Sequence, residues 1–456
     1  MGRAGGPVRV VTPQTDATRT VAEALHVVPR GATVILAVSG GPDSVGTARL
    51  VVAARPDLRC EVVHVRHGLR DDAADAAVAA AHAQALGLPH RIVQVEVQRT
   101  GTGPEDAARR ARWDALLRAA SAAEAAYIVT GHTADDQAET VLLNVARGTG
   151  LRGAGGMAPA SPVAPGITAI RPVLSLRRGI VRDVAVASGL PLADDPTNRD
   201  PQQRRSRARH NVLPGLSSLT GADTDPVESL TRLARHARRD NDALDALASS
   251  ALTAAVRWGP MHGIAVEVLE GLHEAVATRV VRALTARAVP GCRLSEADTT
   301  RLIALSDGQG AELAGGIVAS RGGGHLVVAG GYHCTVQRRL TGAQIALPEI
   351  GVTLRRGGRA AGVLPPWAPR RATACVPVTV GEPLTVRPRR PGDRVATAVG
   401  VRSVARAMAA AGVPKIARDL VPVVEDASGV LWVPGVAVRD GATGAEALHF
   451  ELLDAE

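Results

Sequence analysis

The chain has 456 residues, of which 46% are hydrophobic and 21% charged, and 53 Lys and Arg outnumber 44 Asp and Glu to give a formal charge of +9. This composition is typical of a globular protein and excludes a disordered or collagen-like chain. At about 150 residues per domain, the length predicts about three domains. Lys415 is the only lysine, so nearly every cation is an arginine. The charge is modest for this length, and only its distribution along the chain can indicate a polyanionic partner.

The four cysteines lie far apart and form no C-x-x-C pair. This spacing argues against a zinc ribbon, a redox dithiol and a disulfide framework. The N-terminus shows no apolar segment of the kind found in secretory signals, and the longest apolar runs, such as Val34–Val38, are too short to span a bilayer. We therefore expect a reduced cytoplasmic protein without a membrane partner.

The first half of the chain predicts an α/β domain. Residues 1–24 are small and polar and predict a flexible extension. From residue 25 to residue 216, short β-branched runs alternate with Ala-, Leu- and Arg-rich helical stretches, which predicts a parallel sheet covered by helices on both faces. The predicted strands are TVILAV, CEVVHV, HRIVQVEV and AYIVTG, and the predicted helices between them are Ser44–Ala54, Ala73–Leu86 and Glu105–Ala126.

The second half predicts two further domains. Residues 217–341 are expected to be mainly helical, because 225–288 show helical spacing without a strand pattern, and Gly-rich short strands follow in ELAGGIVASRGGGHLVVAGG. Residues 342–379, rich in Pro, Gly and Arg, are expected to be a linker of unknown role. Residues 380–456 begin with a strand (LTVRP), an Arg-rich turn, a helix and another strand, which predicts a small α+β C-terminal domain.

A glycine-containing loop follows the first predicted strand and opens a helix. It consists of Ser39, Gly40, Gly41, Pro42, Asp43 and Ser44. The glycines let the backbone approach phosphate oxygens, and the two hydroxyls and the N–H groups at the helix start can bind a pyrophosphate. The loop lacks the G-K-[ST] of a Walker A loop, so we expect Mg²⁺ held by Asp43, and arginines from elsewhere, to offset the phosphate charge. The alternative is an ordinary tight turn.

An acidic cluster, GHTADDQAET, follows the fourth predicted strand. On a helix, Asp136 and Glu139 share a face, as do Asp135 and Glu139. The same residues also fit a capping box with Thr133 as the N-cap. Because parallel strands end at one edge of the sheet, where ligands bind, we favour a functional interpretation. The carboxylates would then hold Mg²⁺ or a cationic co-substrate beside the phosphate loop.

Three groups of arginines can bind phosphate through the bidentate guanidinium. They are Arg109 and Arg112; Arg204, Arg205, Arg207 and Arg209; and Arg387, Arg389, Arg390 and Arg394. The alternative for each group is a solvated basic surface. Histidines such as His64 and His67 are expected to be structural or to support other site residues rather than to bind a metal.

The hexapeptide SGGPDS resembles the loop of the PP-loop (N-type) ATP pyrophosphatases, and an ordered set of motifs resembles one family among them, the tRNA(Ile)-lysidine synthetases. The further matching segments are HVRHGLRDD (64–72), EDAARRARW (105–113), GHTADDQAETVLLNVARGTGLRGAGGM (131–157), RPVLSLRR, DPTNRDPQQRRSRARHNVLP (195–214) and, in the last domain, PRRPGDR, RSVARAMAAAGVPKIARDLVPVV and LWVPGVAV. The resemblance is strong over 30–216, weak over 225–330 and good over 380–450. Ser206 stands where the family often has Asn, and Trp113 where it often has Tyr.

The resemblance implies ATP-dependent ligation of lysine to C2 of the wobble cytidine in the CAU anticodon of an isoleucine tRNA. ATP adenylates the C2 carbonyl oxygen, the ε-amine of lysine attacks C2, and AMP leaves as lysidine forms. One carboxylate, or a linked water, must take a proton before the amine is nucleophilic. The implied partners are ATP, Mg²⁺, L-lysine and this tRNA, and the sequence leaves a homodimer open.

The resemblance and the residue chemistry together suggest a role for each candidate residue. Residues 39–44 would bind ATP, and Asp43 would also hold Mg²⁺. Asp136 and Glu139 would bind lysine, and Arg205, with Arg112 as the second candidate, would stabilise the charge that develops at the α-phosphate. The residues expected to bind tRNA are Arg387, Arg389, Arg390, Arg394 and Arg402. Which carboxylate acts as the base stays open.

Three other functions compete with this interpretation. A tRNA thiolation enzyme of the same superfamily shares the loop but needs cysteines or an iron–sulfur cluster. A small-molecule amide ligase would have an ammonia source and no basic C-terminal module. A non-catalytic RNA-binding protein would not need both the phosphate loop and the acidic cluster. The separated cysteines, the basic C-terminal module and the pairing of loop with cluster favour the lysidine synthetase.

Overall fold

The structure is a computed structural model that describes residues 13–66, 73–96, 104–193, 203–220, 224–331, 337–348, 352–356, 376–378, 383–442 and 446–452. The chain forms two compact units, residues 1–241 and 242–456. Among the residues described, no helix is both long and apolar enough to cross a bilayer.

The first unit contains a six-stranded sheet. Its strands are β1 (Thr33–Ala37), β2 (Arg59–Arg66), β3 (His90–Gln94), β4 (Tyr127–Val129), β5 (Ala160–Ala164) and β6 (Ile167–Ile170). The strand order is β3-β2-β1-β4-β6-β5, and every pair is parallel except β5 with β6. All four strands predicted in this region are confirmed. Since parallel strands end at the same edge, the loops after β1, β4 and β6 meet there.

Helices cover both faces of this sheet, as the sequence predicts. The helices that begin in the first unit are α1 (Pro13–Ala24), α2 (Pro42–Ala54), α3 (Ala73–Ala85), α4 (Pro104–Ala122), α5 (Ala134–Val145), α6 (Leu151–Ala154), α7 (Arg178–Val186), α8 (Arg204–Arg207), a π-helical turn (Ala208–Val212), α9 (Leu213–Thr220) and α10 (Pro226–Ala251). Successive strand residues point to opposite faces. Val34 and Leu36 therefore pack with residues of α1, α2 and α7, whereas Ile35 packs with residues of α4.

The flexible extension expected over residues 1–24 is wrong for its second half, where residues 13–24 form α1. Ala17, Val21 and Leu25 are buried at a spacing of four, and so lie on one helical face. The small and polar residues between them obscure this apolar pattern in the sequence. Helix α1 is thus part of the core of the first unit.

Helices α2 and α7 pack closely against each other at Gly46. A Cβ added at Gly46 of α2 would overlap the carbonyl oxygen of Val181 in α7. We expect Gly46→Ala to lower the free energy of unfolding by about 1–3 kcal/mol, because the helices must separate. Gly179→Ala is the matched control, since the described residues leave its added Cβ uncontacted, and it should be neutral or stabilising by up to about 1 kcal/mol. Urea unfolding compares the two, and equal stabilities would contradict the expectation.

The second unit begins with helices and an antiparallel sheet. The helices are the end of α10, a 3₁₀ turn (Leu252–Ala254), α11 (Val266–Glu270), α12 (Glu274–Ala288) and α13 (Glu296–Ile303). The strands are β7 (Val256–Trp258), β8 (Met261–Ala265), β9 (Gly310–Leu313), β10 (Ile317–Gly322) and β11 (His325–Gly330), in the order β7-β8-β11-β10-β9. The Gly-rich strands are confirmed. The absence of strands expected over 225–288 is wrong, because the short β7–β8 hairpin interrupts the helices there.

The remainder of the second unit forms antiparallel sheets around a helix. The strands are β12 (Arg338–Leu340), β13 (Gln344–Leu347), β14 (Val352–Arg356), β15 (Val376–Val378), β16 (Leu384–Arg387), β17 (Arg394–Thr397), β18 (Gly400–Ser403), β19 (Val423–Asp426), β20 (Gly429–Val433), β21 (Ala437–Val438) and β22 (Glu446–Leu452). Helix α14 (Val404–Ala410) and a 3₁₀ turn (Lys415–Ala417) lie between β18 and β19. The sheets have the orders β12-β16-β19-β20-β21, β13-β14-β22-β15 and β17-β18. The α+β prediction for this region is confirmed.

The linker expected over 342–379 differs from the structure. Strands β13, β14 and β15 fall within that range, and β14 and β15 both pair with β22 near the end of the chain. Leu347 and Leu354 are buried in the same core as Trp432. These strands belong with the C-terminal sheets. The local sequence missed β14 and β15 because their shared partner β22 lies far along the chain, with Val352 opposite Leu452 and Val376 opposite Leu448.

Candidate active site

The loop after β1 is tightly constrained. Gly40 has a φ of +88°, and a Cβ there would lie 2.9 Å from the carbonyl oxygen of Asp75. The Ser44 hydroxyl oxygen accepts a hydrogen bond from the Ser39 N–H at 3.1 Å and donates to the Gly41 carbonyl at 2.8 Å. Gly41 is the N-cap of α2, and Pro42 occupies its first turn. The chain therefore presents a compact, glycine-lined turn at the helix start.

The loop after β4 packs directly on this turn. A Cβ at Gly131 would lie 2.7 Å from the Asp43 carbonyl oxygen and 3.0 Å from the Ser44 Cα. The capping box weighed as an alternative is present, with Thr133 as the N-cap of α5. Asp136 Oδ2 accepts from the Thr133 N–H and hydroxyl, each at 2.9 Å. Its Oδ1 atom faces other partners, so capping and a functional role coexist in one side chain.

Arg178, the first residue of α7, joins the two loops. Its Nε donates to Asp43 Oδ2 at 3.0 Å, and its Nη2 donates to Asp136 Oδ1 at 2.7 Å and approaches Glu139 Oε1 at 3.5 Å. The sequence motif RPVLSLRR contains this residue, but no role was predicted for it. A signal was available, because α7 follows β6, which is parallel to β4 and ends at the same edge of the sheet.

A second arginine completes the cluster. Arg209 Nε donates to Glu139 Oε1 at 2.7 Å, and its Nη2 lies 3.3 Å from Glu139 Oε2 and 3.8 Å from Asp136 Oδ1. The Glu139 side chain is fully buried. The structure thus brings together the predicted Asp43, Asp136 and Glu139, with two guanidiniums between them.

Asp135, the remaining acid of this motif, holds the start of α7. Its Oδ2 accepts from the Arg178 backbone N–H at 2.7 Å, and Arg177 Nη2 lies 3.2 Å from its Oδ1. Arg177 also pairs with Asp225. Asp135 therefore positions the backbone of α7, whereas Asp43, Asp136 and Glu139 form the centre of the cluster.

Burial and charge set the protonation of these groups. Burial raises the pKa of Asp43 above its usual range, although Arg178 opposes the shift. Burial also disfavours the ionised form of Asp136, but Arg178 and the Thr133 N–H outweigh it and lower the pKa of that carboxyl. Burial, together with nearby arginines that include Arg205, lowers the pKa of His132 to about 4, although Asp136 opposes the shift. His132 is therefore a neutral imidazole at pH 7, with Nδ1 2.8 Å from the Thr130 hydroxyl.

The residues present fit a Mg²⁺ that is bound together with phosphates. Asp43 Oδ1 is buried and has no hydrogen-bond partner among the described residues. In that same part of the chain, no group of three or more His, Cys, Asp or Glu could hold a metal by itself. Mg²⁺ commonly uses one or two carboxylates and completes its octahedron with substrate phosphates and water.

The predicted catalytic arginines lie in different environments. Arg205, in α8, acts electrostatically on His132, as do Arg109 and Arg171. Arg112 lies on an exposed part of α4. His64 is buried, with Nδ1 2.9 Å from the Val38 carbonyl oxygen, in line with a structural role. His67, with the rest of residues 67–72 and with residues 194–202 of the matched motifs, lies outside the described residues.

The prediction that Arg387 binds tRNA is contradicted by its environment. Its side chain is 4% exposed and pairs with Asp393 at 2.8 Å and Glu425 at 2.7 Å. Arg389 is partly exposed and pairs with Asp419 at 2.8 Å. The remaining predicted tRNA-binding arginines, Arg390, Arg394 and Arg402, are exposed, as is Arg406 in α14. Arg387 therefore fixes the Arg-rich turn, and the exposed arginines keep their predicted role.

Loss of Arg387 should act on stability. We expect Arg387→Ala to lower the free energy of unfolding by about 3–5 kcal/mol, because Asp393 and Glu425 lose their buried counter-ion. Arg390→Ala, an exposed neighbour, should change it by less than about 0.5 kcal/mol. Chemical denaturation followed by circular dichroism compares the two, and an Arg387→Ala protein as stable as the parent would refute the structural role.

Comparison with known proteins identifies the family of this chain. Two family models match the chain: a PP-loop domain over residues 13–216 and a TilS substrate C-terminal domain over residues 384–452. The tRNA(Ile)-lysidine synthase of Streptomyces coelicolor is 41% identical over 309 residues, which are 66% of this chain and 86% of the relative. The tRNA(Ile)-lysidine synthase of Salinispora arenicola is 40% identical over 323 residues, which are 68% of this chain and 94% of the relative.

Among solved structures, the TilS C-terminal domain covers 26% of this chain and 100% of its own length at 25% identity, with a TM-score of 0.20. The two relatives carry the assignment, because this chain spans far more than two thirds of each at about 40% identity. The chain belongs to the tRNA(Ile)-lysidine synthase family.

Proposed function

We propose that this protein ligates L-lysine to C2 of the wobble cytidine in the CAU anticodon of an isoleucine tRNA. ATP would adenylate the base first, and the products would be lysidine, AMP and pyrophosphate. The observation that carries the proposal is that Asp43, in the Ser39–Ser44 loop, lies in one cluster with Asp136 and Glu139 at one edge of the sheet, joined by Arg178. One group of carboxylates beside a phosphate loop suits a reaction between ATP and a cationic amine.

The loop after β1 would bind the phosphates of ATP. Its glycines allow close backbone approach, and the Ser39 hydroxyl is exposed beside that of Ser44, 3.2 Å away. Asp43 would hold Mg²⁺ through its buried Oδ1, and the ion would neutralise charge on the departing pyrophosphate. Arg205, and Arg112 next, would stabilise the charge developing at the α-phosphate.

Asp136 and Glu139 would bind the lysine cation. Both face guanidiniums in the structure, so this position already accommodates a positive charge. The lowered pKa of Asp136 keeps that carboxyl ionised at pH 7, as binding of an ammonium requires. The amine must lose a proton before it attacks C2, and a carboxylate of this pair or a linked water would accept it.

The test of the whole proposal is transfer of lysine to tRNA. The purified chain is incubated with ATP, Mg²⁺, radiolabelled lysine and bulk bacterial tRNA. We expect ATP-dependent label in tRNA, recovered as lysidine after nuclease digestion, with AMP released in equal amount. Label that appears without ATP, or none at all with a tRNA pool containing the CAU-bearing isoleucine tRNA, would refute it.

Glu139 should govern the affinity for lysine. We expect Glu139→Gln to raise the lysine KM by about 10–100-fold, the value of one charge-assisted hydrogen bond, and to change the ATP KM much less. Glu23→Gln, on an exposed part of α1, is the matched control and should change neither constant. Steady-state assays that vary each substrate separate the two effects. If the ATP KM rises and the lysine KM does not, Glu139 belongs to the nucleotide site.

A further inference from the structure

Resting on the proposed function, we propose that Arg178 is a shared counter-ion that makes lysine binding depend on ATP. It holds the carboxylate oxygens that the lysine ammonium needs, and it transfers to the phosphates when ATP binds. ATP would then open the lysine subsite and the two substrates would bind cooperatively.

Arg178 and the lysine ammonium would compete for the same carboxylate oxygens. One guanidinium nitrogen, Arg178 Nη2, lies 2.7 Å from Asp136 Oδ1 and 3.5 Å from Glu139 Oε1. The other oxygen of Asp136 is already used by the Thr133 N–H and hydroxyl. Arg209 also donates to Glu139, at 2.7 Å to Oε1, so Asp136 Oδ1 is the acceptor that Arg178 chiefly occupies. An ammonium that binds Asp136 Oδ1 would therefore compete with Arg178 Nη2.

The net charge of the cluster favours the same exchange. Three carboxylates face two guanidiniums, those of Arg178 and Arg209, so the cluster carries one net negative charge. If Arg178 pairs with phosphate instead, the same three carboxylates face Arg209 alone and carry two net negative charges. Asp43 would place one of them beside Mg²⁺, and the other would be available to the lysine cation. ATP supplies the negative charge that makes the exchange favourable.

Rotation of its side chain would bring Arg178 to the phosphates of bound ATP. Its backbone is held by the bond from its N–H to Asp135 at 2.7 Å, while its side chain is 21% exposed. Its Nε already contacts Asp43, which lies within the phosphate loop. Guanidinium pairs with phosphate in bidentate geometry at least as well as with carboxylate. A short displacement would thus exchange one partner for the other while α7 stays fixed.

Calorimetric titration of lysine into the full chain tests the coupling, with and without Mg²⁺ and α,β-methylene-ATP, which resists cleavage at the reacting bond. We expect the analogue to raise lysine affinity by about 5–150-fold, the usual span of allosteric coupling. Reciprocity requires lysine to raise the affinity for the analogue by the same factor. Arg182→Ala, exposed on the same helix, is the matched control and should keep the parent coupling.

Arg178→Ala should bind lysine equally with and without the analogue, and Arg178→Gln, neutral and similar in size, provides the same test if the alanine variant unfolds. Arg178→Lys, which keeps the charge, should restore part of the coupling. Parent protein without coupling, or neutral variants that keep it, would overturn the inference. If lysine transfer to tRNA succeeds in those cases, the proposed function stands and only the role of Arg178 falls. If transfer also fails, both fall.

Discussion

Asp43→Ala is expected to reduce ATP-dependent AMP release by about 10²–10⁴-fold, because loss of the proposed Mg²⁺ ligand would remove several kcal/mol of charge stabilisation from the departing pyrophosphate. The side chain is well placed for this role. Its Oδ1 is buried without a hydrogen-bond partner among the described residues, and its Oδ2 pairs with Arg178. Single-turnover assays with saturating tRNA and lysine would measure the defect directly.

Two controls separate chemistry from folding in that experiment. Asp183→Ala removes an exposed carboxylate from α7 and should leave AMP release unchanged. Thermal unfolding of Asp43→Ala reports any loss of stability from the broken pair with Arg178, and tRNA binding by filter retention should match the parent. Near-parental AMP release by a folded Asp43→Ala protein would show that Mg²⁺ is held elsewhere.

The sequence predicted the parallel sheet and the two loops because these features are local. Four apolar strands alternating with helices specify the sheet, and its carboxyl edge then follows from topology. The predicted meeting of Asp43 with Asp136 and Glu139 needed no further information. The sequence allowed two interpretations of Asp136, a helix cap and a site residue. Both apply, because one of its oxygens accepts from the cap residue Thr133 and the other pairs with Arg178.

What escaped prediction depends on distant contacts. Arg178 lies 135 residues after Asp43, and only the fold shows that it bridges the two loops. Arg387 looks like any other arginine of its turn until its burial against Glu425, 38 residues later, is known. Strands β14 and β15 escaped prediction for the same reason, because both pair with β22 near the end of the chain. Charge type and spacing cannot distinguish a buried guanidinium from an exposed one.

Pairing between strands on either side of residue 380 makes truncation a poor test of tRNA binding. A truncation at residue 380 would separate β14 and β15 from β22, and β12 from β16. Such a protein would expose the core that contains Leu354 and Trp432. Any loss of tRNA affinity could then reflect unfolding. Exposed side chains, which can be removed without changing the core, provide the cleaner experiment.

Replacing the four exposed arginines of the C-terminal region together by alanine is expected to weaken tRNA binding and flatten its salt dependence. These are Arg390, Arg394, Arg402 and Arg406. Cytidine occurs in every tRNA, so the adenylating site needs help from contacts spread along the substrate. If all four contact phosphates, the slope of log K against log salt should fall by about 3, at roughly 0.7–0.9 per contact. AMP release at saturating tRNA should stay near the parent value.

A matched variant replaces four exposed arginines of the first unit, Arg30, Arg59, Arg118 and Arg182. It removes the same total charge, so it controls for the general attraction of a basic protein to RNA. Filter binding from about 50 to 200 mM salt, the range over which phosphate contacts dominate, would compare the two proteins. If both lose the same affinity and slope, the effect is one of net charge. A larger change in the C-terminal variant would locate the phosphate contacts beside the β17–β18 hairpin and α14.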